Sequence, residues 1–123
     1  MDILLKAILD NDEAPIVACD DKHIIRYMNK EAAKRYAKSG GYELSGKSIF
    51  DCHNERSREM ISKVAEYLKE HADIDKIFTF HNEEENKDVY MVALRDEEGR
   101  FIGYYEKHCF RNRETGNRYE GIR

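Results

Sequence analysis

The chain's 123 residues suit one compact domain, and 41% of them are hydrophobic against 37% charged, with seven Gly and one Pro. That mixture excludes a disordered, collagen-like or linker-type chain. Lys plus Arg number 21 against 25 Asp plus Glu, a net charge of −4 without the basic excess typical of a nucleic-acid binder.

Leu4, Ala7 and Ile8 recur at helical spacing with Ile3 beside them, which predicts a short amphipathic helix ending near Asp10-Asn11. Pro15 to Cys19 is apolar and partly β-branched, and Ile24 to Met28 follows an Asp-rich turn, so the two runs read as a hairpin. Asn29 suits the cap of a short helix over Lys30 to Lys38, stopped by Ser39-Gly40-Gly41. A connecting segment follows, with Ile49 and Phe50 as its buried pair. Asn54 then caps the longest helix, from Glu55 to about His71, where Ser57, Met60, Ile61, Val64 and Leu68 share one face. Three strands complete the pattern: Ile74 to His81, Asp88 to Leu94 and Phe101 to Phe110. The polar tail, 111–123, carries Arg111, Arg113, Arg118 and Arg123 as solvated charge. The order predicts an α+β fold, an antiparallel sheet with helices over one face.

Apolar runs of only a few residues predict no membrane span, and Met1-Asp2 shows no basic leader pattern. Cys19, Cys52 and Cys109 are odd in number and far apart, as expected for reduced thiols in a cytoplasmic protein. No phosphate loop, paired catalytic carboxylates or Ser-His-Asp order stands out, so a non-enzymatic role is expected.

Three stretches carry a resemblance. They are Ile24-Ile-Arg-Tyr-Met-Asn29-Lys-Glu-Ala, Leu44-Ser-Gly46-Lys-Ser-Ile-Phe50, and Leu94-Arg-Asp-Glu-Glu-Gly99-Arg-Phe-Ile-Gly103. In this order and spacing they resemble a PAS domain, the sensory module of signalling proteins, over about Leu5 to Phe110. The resemblance implies a five-stranded antiparallel sheet with helices over one face, enclosing a pocket. It divides the chain into an N-terminal helical cap, 1–12, the PAS domain, 13–110, and the tail. Such a protein is expected to bind a small molecule between sheet and long helix and to signal through an interface with a protein partner, and to form a homodimer. The alternative is a ligand-free dimerising or docking module; a weaker one is a heme-binding gas or redox sensor.

The cofactor is left unknown. Light-sensing flavin domains of this family place a reactive Cys about three residues after the glycine matching Gly46, where this chain has Ile49. In oxygen-sensing heme domains the axial His matches a position near Glu59. Cys52 and His53 at a helix start read either as an activated thiol or ligand pair, or as core filler and a backbone partner. His71 reads as a heme ligand or as a helix-end cap. The ligand-facing set implied by the resemblance is Cys52, His53, Ser57, Ile61, Val64, Met91, Phe101 and Tyr105. Carrying over the family's strand parity turns Phe101, Gly103, Tyr105 and Cys109 inward with Val89, Met91 and Ala93. It leaves Ile102, Tyr104, His108, Tyr90, Val92 and Leu94 on the outer face, which the first helix or a second chain would cover.

Overall fold

The computed structural model of the protein describes residues 1–122; Arg123, expected as solvated charge, lies outside them. Helix α1 spans Ile3–Asp10, and strands β1, Val17–Asp20, and β2, Ile25–Met28, form the first hairpin. Asp20 builds its turn, accepting from the backbone N–H groups of Lys22 and Ile24 while His23 takes φ of 66°. Helix α2, Lys30–Arg35, ends earlier than the sequence suggested, because Ala37–Ser39 tightens into a 3-10 turn before Gly40 at φ 124°. Two more 3-10 turns, Gly41–Leu44 and Ile49–Cys52, lead to helix α3, Glu55–Glu70, whose cap is Asn54 accepting from Ser57 N–H.

Strands β3, Lys76–Asn82, β4, Lys87–Arg95, and β5, Phe101–Phe110, form an antiparallel meander. The sheet order is β2-β1-β5-β4-β3, so the first hairpin joins the meander through β1 and β5. Gly103 permits that junction: a Cβ there would stand 2.1 Å from the Cys19 carbonyl oxygen. α2 and α3 cover one face, the inner one, with a core of Cys19, Ile25, Met28, Leu44, Ile49, Ile61, Leu68, Met91 and Tyr104. Arg95 closes the exposed end of α3. Its Nη2 donates to the carbonyls of Leu68, His71 and Ile74, and its Nε pairs with Asp75 at 3.0 Å.

The last strand departs from simple alternation. Arg95 pairs with Phe101, yet Leu94 pairs with Gly103, so Ile102 is an extra residue in a β-bulge. Phe101 and Tyr104 both pack on the inner core as a result. One inserted residue reverses every later side chain. Tyr104, Glu106 and His108 therefore face α2 and α3 opposite Ala93, Met91 and Val89, while Tyr105 and Cys109 lie on the outer face with Val92 and Asp88. The expected orientations of Tyr104, Tyr105, His108 and Cys109 are corrected accordingly.

Candidate functional site

Between the inner sheet face and the helical layer lies a small cavity with about 30 Å³ open to a water's centre. That volume suits a water or a molecule of few atoms. β1 contributes Val17 and Cys19, and Met91 of β4 and Ile61 of α3 supply the apolar wall with Ile49. The polar wall is more distinctive: Tyr36 at the end of α2, His53 before α3, and Tyr104, Glu106 and His108 of β5.

Burial shifts each of these groups toward its neutral form. Burial lowers the His53 pKa, with Arg58 adding to the effect. Burial, with Lys87 and Arg35 nearby, takes His108 down to about 4, and burial raises the Glu106 carboxyl. Burial pushes Tyr36 up to about 12 and Tyr104 higher still. Tyr104 Oη is engaged by His23 Nδ1 at 2.7 Å, which places the His23 ring against the core. His108 Nδ1 is buried without a hydrogen-bond partner, and Nε2 lies 3.3 Å from Glu106 Oε1. A buried orphan nitrogen invites a polar occupant.

Beside this wall stands an ion network. The Lys87 side chain is only 4% exposed and meets Glu85 at 3.1 Å, while Arg35 grips the same carboxylate at 2.8 and 3.1 Å. Arg35 and Lys87 hold Glu85 down to about 2. The network fastens α2 to the β3–β4 turn directly over the β5 polar groups.

Of the residues expected to face a ligand, His53, Ile61 and Met91 line this cavity. Phe101, Val64 and Cys52 pack against the core without lining it. Ser57 is half-buried in the first turn of α3, and its N–H is used by Asn54. At Cys52, Sγ donates to the Ile49 carbonyl at 3.2 Å and burial raises its pKa, both of which favour the thiol over the thiolate. His71 lies outside the cavity, stacked on Tyr67 at 3.9 Å with Nδ1 donating to the Tyr67 carbonyl. The cavity at this volume has no room for a porphyrin, whose pocket must be many times larger. Sequence reasoning missed Tyr36, Tyr104, Glu106 and His108 as wall residues; the signal for the three on β5 was the bulge, which alternation alone does not reveal.

The outer face carries a second, open groove of about 440 Å³ beneath α1, lined by Leu9, Ile16, Ala18, Tyr27, Leu94 and Tyr105. α1 itself buries none of its residues, and Ile3, Leu4, Leu5 and Ile8 are each more than half exposed. Among the described residues no helix is long and apolar enough to cross a membrane.

A family model described as the PAS fold matches residues 9–107. Among solved structures, the C-terminal domain of a Streptococcus mutans protein is similar, with a TM-score of 0.68 and 24% identity over 86% of this chain and 81% of that one. A PAS domain from Colwellia psychrerythraea superposes with a TM-score of 0.64 and 17% identity, covering 87% and 95% of the two chains. The Aer2 receptor of Vibrio cholerae, a dual PAS-heme oxygen sensor, is similar at a TM-score of 0.53 and 18% identity over 77% and 91%. At these identities the three structures support the fold alone. No functionally curated protein matches the chain in sequence. The family match spans most of the chain, from the end of α1 into β5, and the chain belongs to the PAS fold family of sensory and signalling modules.

Proposed function

We propose that the protein is a sensory module whose inner cavity takes a polar molecule of few atoms and whose occupancy is passed to a protein partner through α1 and the outer sheet face. The carrying observation is the buried polar wall with its partnerless His108 Nδ1. A small cavity among hydrogen-bonding groups shifted toward their neutral forms favours an uncharged ligand, since burying a lone charge costs far more than burying a paired dipole. The partner is a second copy of the chain, meeting across the exposed apolar residues of α1. The proposed role is binding and signalling without catalysis. Three free thiols fit a reducing setting, the cytoplasm.

The small volume of the inner cavity favours a second reading, a ligand-free dimerising module. Native mass spectrometry of freshly purified protein separates the two. The sensor reading expects added mass on the wild type that is lost in His108→Phe, which fills the space and removes both ring nitrogens. A dimer without added mass supports the second reading. A bare monomer overturns both.

A further inference from the structure

We propose that Glu106 and His108 form one proton-binding unit that switches the cavity wall between hydrogen-bond acceptor and donor. The geometry leaves the His108 ring one polar contact, on the Nε2 side, and none at Nδ1. Nε2 faces the Glu106 carboxyl at 3.3 Å, and Nδ1 is buried without a partner. The ring is nine-tenths buried, its side chain being 10% exposed. With Glu106 ionised, Nε2 carries the ring proton and donates to the carboxylate, so the bare Nδ1 is an acceptor. When one proton enters, it binds Nδ1 while the Nε2 proton passes along the contact to Glu106 Oε1. The ring stays neutral, the carboxyl becomes a carboxylic acid donating to Nε2, and Nδ1–H is now a donor. One proton is gained and one tautomer is exchanged.

The surroundings favour a proton on the carboxyl over a charge on the ring. Lys87 of β4 and Arg35 of α2 both oppose an imidazolium, and Glu85 in the β3–β4 turn offsets them only in part. Burial raises Glu106, although Lys87 pulls it back. Across the cavity His53, Tyr36, Tyr104 and Cys19 face the pair as neutral groups. On the outer side Asp12 and Lys107 line the rim of the open groove that both residues reach.

As a statement about ligands, this rests on the cavity reading above: an occupant offering a carbonyl is preferred with the unit protonated, and one offering an N–H or O–H with it deprotonated. The proton unit is testable without any ligand. Imidazole nitrogen-15 NMR on the full chain distinguishes the two tautomers of His108 directly. The expected result is an exchange from the Nδ1–H form to the Nε2–H form as pH rises, coincident with ionisation of the Glu106 carboxyl followed by carbon-13. Glu106→Gln should abolish the exchange while leaving the ring neutral. A single tautomer throughout, an exchange that persists in Glu106→Gln, or an imidazolium forming at the ordinary histidine pH overturns the proposal. Loss of added mass in the mass-spectrometric experiment would remove the ligand reading and leave this result standing.

Discussion

Asn29 uses every hydrogen-bonding valence of its amide. Oδ1 accepts from the N–H groups of Ile16 and Ala32, each at 2.9 Å, and Nδ2 donates to the carbonyls of Leu9 and Ala14 at 2.9 and 3.0 Å. The side chain is fully buried, so no water replaces what a substitution removes. Asn29→Ala should cost about 3 kcal/mol, combining a lost cap with orphaned backbone groups. Urea unfolding measures it, and a loss below about 1 kcal/mol contradicts the account. Asn29→Asp should do no better, because it sets a carboxylate oxygen against two carbonyls. The sequence shows Asn29 as a cap because that bond is local. Its ties to Leu9, Ala14 and Ile16 require the folded approach of distant segments, and no local pattern encodes them.

At the scale of elements, α1 is the least satisfied part of the molecule. Asp2 caps it, accepting from Leu4 and Leu5 N–H, and Asp10 anchors its end by accepting from Tyr27 Oη at 2.8 Å, yet its apolar residues stay exposed. If a second copy covers them, a charge at Ile8 meets that interface directly. Ile8→Glu should weaken self-association by roughly tenfold or more, given the burial energy of an isoleucine. Sedimentation identical to wild type would reject a dimer built on α1. Elements were the part of the fold most legible in the sequence: the helix stripes, the Asp20 turn and the three-strand meander all follow from local chemistry. The facing of β5 was not, because the Ile102 bulge arises from how Leu94 and Arg95 pair across the hairpin. The resemblance put His53, Ile61 and Met91 in the ligand-facing set, and they line the cavity, whereas the bulge hid Glu106 and His108.

The whole molecule should be sensitive to mild acid. His23, His53 and His108 all have pKa values held below the ordinary histidine value, by burial above all. The unfolded chain therefore binds their protons first as pH falls from about 6.5. Stability is complete above that value and declines toward the folded-state pKa values, which for His108 is about 4. Glu106 acts in the opposite sense, its raised carboxyl stabilising the fold at low pH and losing that contribution as pH rises, but it is one group against three. Below the ordinary carboxylate range the Glu85 network fails as well, over the span down to about 2. Calorimetry should find Tm about 5 °C lower at pH 5 than at pH 7. A flat or rising Tm over that interval would contradict the buried-neutral reading of these histidines.

The placing of β1 between β2 and β5 also governs the order in which the chain can assemble. The meander of β3, β4 and β5 closes by neighbours in sequence, but Ala18 must find Tyr105 and Cys19 must find Tyr104. During synthesis the first hairpin emerges with one edge unpaired and waits, exposed, until the last strand has left the ribosome. Gly103, where the two halves touch most closely, is then the point at which a folding delay becomes a finished sheet.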